Sequence, residues 1–154
     1  MPEKHWYNWN NSSSRIISNG CHWIDHFLFL NDFVSVKDMH AHEASDKSIS
    51  VFIELFNGAV FTMLLTDIGG SRVGVQDYIE LRANSVTVRI TNGSLYKAEN
   101  DNKIIRSKKV NKIFSYKNMY RSIGSKILNN DKGDSWTSIY ISSCVMLSVN
   151  NSFK

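Results

Sequence analysis

The stretch NGCHWIDHFLFLND, residues 19–32, carries three titratable side chains among apolar ones: His22, Asp25 and His26. Their spacing, i, i+3 and i+4, places all three on one side of an α-helix. A carboxylate beside an imidazole holds the ring in one tautomer and favours its charged form. Such a pair suits general acid–base work on a substrate hydroxyl that must lose or regain a proton. The same spacing also suits hydrogen-bonded polar groups in a core or at a subunit interface. A metal would need a third ligand, and the sequence places none, so no metal site is assigned.

Other chemistry-bearing groups give less. His40 and His42 form a His-x-His pair, and on a strand both point to one face while Glu43 points to the other. That is half of a metal site, or two exposed histidines on a sheet. Cys21 precedes His22, but neighbours on a helix diverge by about 100°, which is poor geometry for a thiolate–imidazole pair. Ser18 and Ser142-Ser143 have no nucleophile-elbow context. Gly69-Gly70, in DIGGSRVG, follows a strand pattern but no helix pattern follows it. It reads as a hairpin loop and not as a dinucleotide fingerprint. With no P-loop either, this chain alone is expected to bind no cofactor.

The elements that must position these groups follow from periodicity. Residues 1–14 form an aromatic, Asn/Ser-rich entry loop with Trp6, Tyr7 and Trp9, and Ser12 to Ser14 offer a helix cap. Ile17 to Leu30 reads as a helix ended by Asn31-Asp32, with Ile24, Phe27, Leu28 and Leu30 free to pack. From Val34 the period changes to two and runs to His42. SISVFIELFNGAVFTMLLTDIG then brackets Asn57-Gly58, a strong hairpin signal. VQDYIELRA and SVTVRI follow around Ala83-Asn84, Asn92-Gly93 precedes SLYKAE, and KIIRSKK is the last strand pattern.

Helical periods return in SYKNMYRSIGSKILNN, with Met119, Tyr120, Ile123 and Ile127, and in SWTSIYISSCVMLSVNNSF. In the latter the expected stripe is Trp136, Ile139, Tyr140, Cys144, Leu147 and Ser148, with Asp134 or Ser135 as its cap. One helix, a meander of hairpins and two helices predict an α+β fold. It is an open, mainly antiparallel sheet of about six or seven strands with helices packed on one face.

The 154 residues suit a single domain, 1–154, large enough for a core without disulfides. No run of about 18 apolar residues or apolar leader occurs, so neither a membrane nor secretion is expected. Cys21 and Cys144 lie far apart and read as free thiols of a cytoplasmic protein. The net charge is +4 and the pI about 9.1, with much of the excess in KIIRSKKVNK, Lys103 to Lys112. That segment suits phosphate contacts or, more simply, a solvated strand. No aromatic RNA-binding signature accompanies it, so nucleic acid is not expected as a partner.

Three motifs in order resemble a known family: Gly20-Cys21-His22-Trp23-Ile24-Asp25 at a helix start, Phe56-Asn57-Gly58-Ala59 in a hairpin, and Ile79-Glu80-Leu81 followed by Gly93-Ser94-Leu95. Together, over about residues 5–98, they resemble the C-terminal domain of the Gfo/Idh/MocA oxidoreductases, the glucose–fructose oxidoreductase and inositol dehydrogenase family. The resemblance implies an open antiparallel sheet flanked by helices that shapes a substrate pocket and mediates oligomers through the sheet. It implies oxidation or reduction at a hydroxyl-bearing carbon of a sugar or cyclitol, with NAD or NADP held by a separate N-terminal Rossmann domain. His22 matches the family's proton-handling histidine, and Asp25 the acidic residue that accepts a substrate hydroxyl. Ser18, Asn19 and Trp9 are the expected substrate-binding neighbours.

Two departures stand out. Many members carry Asp four residues before the histidine, where this chain has Ser18, so His22 lacks that charged partner. The Rossmann domain and its Glu-Lys-Pro lysine are absent from the sequence, so this chain alone is expected to be inactive. Apolar residues on both sides of the central strands, Val51, Ile53 and Leu55 against Phe52 and Phe56, predict a dimer through the sheet face. The alternative is a stand-alone, non-catalytic domain for self-association or carbohydrate binding through the aromatic entry loop.

Overall fold

Hairpin chemistry organises the strands. A computed structural model of the chain describes residues 14–69, 76–131 and 136–152. In it, β1 (Val36–Glu43), β2 (Ile49–Leu55) and β3 (Val60–Leu65) form one antiparallel sheet in the order β1-β2-β3. A second antiparallel sheet contains β4 (Tyr78–Ala83), β5 (Val86–Thr91), β6 (Leu95–Asn100) and β7 (Ile104–Lys109), in sequence order. Among the described residues there are three α-helices: α1 (Cys21–Phe29), α2 (Lys112–Leu128) and α3 (Trp136–Asn151). The fold is α+β, as the period changes predict, and the seven antiparallel strands of the described residues divide between two sheets. The β4–β5 connection is a two-residue turn, Asn84-Ser85, with φ of 49° and 59°, the twisted kind that hairpins favour. Asn92 and Gly93 both have positive φ, 52° and 57°, which asparagine and glycine tolerate best.

The chain divides into two compact units, Met1–Gly69 with Asp134–Lys154, and Gly70–Gly133. The first unit holds one apolar core. The alternation of β2 puts Ile49, Val51, Ile53 and Leu55 on the same face, all buried. Register carries that face across the sheet: Ile53 lies opposite Met39 and Phe61, and Val51 opposite Ala41 and Met63. Onto it pack Ile16, Ile24, Phe27 and Leu28 from the first helical segment and Val145 and Val149 from α3. Phe27 stacks on Phe61 with ring centroids 5.1 Å apart. Each such side chain contributes about 1.5–3 kcal/mol of burial.

Two packing expectations need correction. Leu30 is half exposed, because α1 ends at Phe29 and the chain turns there. In α3 the expected stripe faces outward: Ile139, Tyr140 and Leu147 are exposed, and so is Cys144. The inward side is Ile141, Ser142, Val145, Met146 and Val149, the neighbouring stripe at the same 3.6 period. Apolar residues occupy most of this helix, so periodicity alone does not select the face. Asp134 and Ser135, the expected caps, lie outside the described residues.

In the second unit, α2 begins at Lys112, where the Asn111 side chain accepts from the Ile113 N–H at 2.9 Å. One face of its sheet carries a lattice of charges. Glu80 accepts from Arg89 at 2.9 Å and from the Tyr78 hydroxyl at 3.0 Å, and also pairs with Arg82. Arg89 and Lys97 both pair with Glu99. These bonds hold the Glu80 carboxyl below its ordinary range, Arg89 contributing most. They lower that of Glu99 too, with Lys97 its main cause.

Candidate functional site

The helix that carries His22 starts in a wider turn. Residues Ile16–Gly20 are π-helical, and the Cys21 N–H reaches back to the Ile16 carbonyl, five residues away. Ser18 and Asn19 sit in this turn, both half-buried, and the Ser18 hydroxyl donates to the Ser14 carbonyl at 3.2 Å. The widened turn also alters the stacking of Ser18 over His22 that an α-helix would impose. Gly20 then lets the helix lie directly on β3. A Cβ there would stand 3.0 Å from Met63 Cε and 3.2 Å from Leu65 Cδ1.

From this base α1 turns two faces outward and inward. Ile24, Phe27 and Leu28 are buried, while His22, Asp25 and His26 are all exposed. The three titratable groups are therefore a surface cluster and not core polars. Asp25 has a partner that spacing did not reveal: the Ser142 hydroxyl of α3 donates to its Oδ1 at 2.6 Å. A carboxylate accepting from a hydroxyl keeps lone pairs free for a second one. At the far end of α1, the Asn31 amide donates to the Phe27 carbonyl at 2.9 Å. Asn57 of the hairpin donates to Asn31 Oδ1 at 3.2 Å, joining that turn to the end of the helix.

The histidines of β1 belong elsewhere. By register, His40 lies opposite Phe52 and His42 opposite Ser50, on the side of the sheet away from the core that α1 covers. His40 Nε2 is 2.9 Å from Asp38 Oδ2, and its ring stacks near Phe52 at 6.2 Å. A shallow concavity of about 390 Å³ lies on this open face, among His40, His42, Ser50, Phe52, Thr62 and Leu64. Elsewhere on this sheet Lys37 donates to Glu54 at 2.7 Å, which raises the lysine's pKa. Among the described residues no three His, Cys, Asp or Glu groups come together as a metal would require.

Of the residues singled out in the sequence, His22 and Asp25 share the exposed side of one helix, with Ser18 and Asn19 in the turn before it. Trp9, with Trp6 and Tyr7, lies outside the described residues. Ser142 is the addition. Nothing in the sequence marked it, since it lies off the stripe that periodicity selected in α3.

No protein-family model matches the chain, and no curated protein matches it. A solved structure does: the crystal structure of the dehydrogenase MviM from Clostridium difficile, with a TM-score of 0.69 at 14% identity. The match covers 90% of this chain and 48% of that one. The chain thus spans about half the length of this dehydrogenase, and at such identity the likeness is one of fold.

Proposed function

We propose that this chain is the substrate-binding and oligomerisation half of an NAD(P)-dependent oxidoreductase acting on a sugar or cyclitol hydroxyl. The observation that carries the reading is its likeness in fold to half of a dehydrogenase. It is supported by the motif Gly20-x-His22-x-x-Asp25 standing on an exposed helix face. The only strand-to-helix connection among the described residues that could cradle a pyrophosphate, Val110-Asn111 between β7 and α2, contains no glycine. In this reading the nicotinamide sits on a separate domain, where it exchanges hydride with the substrate carbon. This chain's residues handle the hydroxyl. Asp25 accepts a hydrogen bond from it while Ser142 holds the carboxylate in place. His22 takes the proton in oxidation and returns it in reduction. Ser18 and Asn19 flank the substrate, and a reducing cytosol suits the free thiols.

Oligomerisation would use the open face of β1-β2-β3, where Val60 and Leu64 are exposed beside half-buried Phe52. Glu54 and Asp38 stand at one end of this face and His42 at the other. A second copy turned end for end would set acid against imidazole.

The test is a titration of the chain with hexoses and cyclitols, followed through the amide resonances of α1. A saturable shift at residues 18–26, weakened about tenfold or more by Asp25→Asn, supports the reading. No response to any polyol from the folded chain, by itself or joined to a nicotinamide domain, would defeat it.

A further inference from the structure

Helix α2 buries none of its residues, and its exposed apolar side chains are not scattered. Ile113, Tyr116, Met119, Tyr120, Ile123 and Ile127 fall within about 120° of one another at 100° per residue, and each is 44% exposed or more. Phe114 and Leu128, near the helix ends, lie outside this stripe. Its back consists of Ser115, Asn118, Ser122 and Ser125. Lys117 borders the stripe on one side and Lys126 on the other, Arg121 lies farther round toward the polar back, and Lys112 falls within the arc at the first turn. From Asn102 to Asn130 there are eight Lys and Arg residues and no Asp or Glu. On β7, Arg106, Lys108 and Lys109 are exposed as well.

We infer that α2 is an interfacial helix that lies on an anionic lipid surface. Each part of the pattern has a use there. The apolar stripe enters the boundary between headgroups and acyl chains by about 5–10 Å. The bordering lysines bury their stems and keep their ammonium groups at the phosphates. Tyr116 and Tyr120 suit the same depth, where an amphipathic ring is wetted at one end. The seventeen residues of α2 span about 25 Å, a length that lies flat. No helix among the described residues is long and apolar enough to cross a membrane, which bears on spanning and not on lying in the plane.

Charge decides between occupants. A second α2 packed along the stripe would bring cationic borders against each other, which coiled coils avoid at their flanking positions. Nucleic acid would use the cations but leave the apolar stripe in water. Anionic lipid satisfies both. This role is independent of the oxidoreductase reading, because none of His22, Asp25 or Ser142 lies on α2.

The experiment is co-sedimentation of the chain with phosphatidylcholine vesicles, with and without phosphatidylserine. Wild type should pellet with the mixed vesicles, weaken as salt rises, and stay in solution with phosphatidylcholine alone. Lys117→Gln with Arg121→Gln should lower affinity about 25-fold, about fivefold per cation. Ile123→Asp should abolish binding while circular dichroism stays that of wild type, since the side chain is exposed. Equal binding to both vesicle types, binding to neither, or an Ile123→Asp variant that pellets like wild type would each overturn the inference. Binding to single-stranded RNA in preference to the mixed vesicles would do so too.

Discussion

Ser142 on α3 donates a 2.6 Å hydrogen bond to Oδ1 of Asp25 on α1, joining residues 117 positions apart. The bond ties the exposed polar side of α1 to α3 and fixes which way the carboxylate points. Ser142→Ala should cost about 0.5–1.5 kcal/mol, toward the low end because water can replace the hydroxyl at an exposed site. Urea denaturation reads this. In a polyol titration the same variant should bind more weakly than its stability loss explains, since Asp25 would lose its orientation.

His22 should separate function from folding. Its side chain is exposed on α1, so His22→Ala should leave the melting temperature within about two degrees, in keeping with about 0.5 kcal/mol for surface changes. In the complete oxidoreductase proposed above, the same change should lower kcat by about 100-fold or more. Equal turnover by the variant would remove His22 from the proton path.

The core makes the opposite prediction. Ile53 is fully buried at the centre of β2, between Met39 and Phe61 on neighbouring strands. Ile53→Ala should cost about 2–5 kcal/mol through lost burial and the cavity left behind. Phe52→Ala, one residue away on the open face, should cost much less. Chemical denaturation of the pair tests whether the register places the core where described.

Acid should loosen the second unit. Glu80 and Glu99 both have carboxyl pKa values lowered below the ordinary 4.5, mainly by bonds from Arg89 and from Lys97. A depressed carboxylate pKa adds stability above the unfolded value, and this is lost as pH falls through the folded one. The sheet's stability should therefore be flat above about pH 5 and fall as pH drops below 4.5. Arg89→Met should blunt that decline, since it removes the partner shared by both acids. Denaturation midpoints measured across this range, at low salt, supply the check.

Much of this architecture was legible in the chain. Asn57-Gly58 and Asn92-Gly93 mark turns because asparagine and glycine tolerate positive φ, while the turn expected at Ala83-Asn84 falls one residue later, at Asn84-Ser85. In ISVFIEL the period of two marked the strand, but Phe52 and Phe56 set apolar residues on the other face as well, so the structure decided which face is buried. The helix expected from Ile17 to Leu30 is α-helical from Cys21 to Phe29, after a π-helical turn at Ile16–Gly20, and its titratable residues take the outer side because Ile24, Phe27 and Leu28 claim the inner one. In α3, by contrast, apolar residues ring most of the helix, and periodicity pointed to the side that stays exposed.

What the sequence determined by itself was therefore local: strand periods, turn positions, the inward face of α1 and the grouping of His22 with Asp25. These depend on φ/ψ preferences and on spacing within one element, which a linear chain carries in full. The tertiary structure alone decided that seven strands divide into two sheets and that α3 presents Val145 and Val149 to the core. It alone placed His40 and His42 on the opposite side of the sheet from α1 and brought Ser142 to Asp25. Those outcomes depend on which surfaces meet across more than a hundred residues, and contact between distant elements leaves no period in the sequence for either partner to announce.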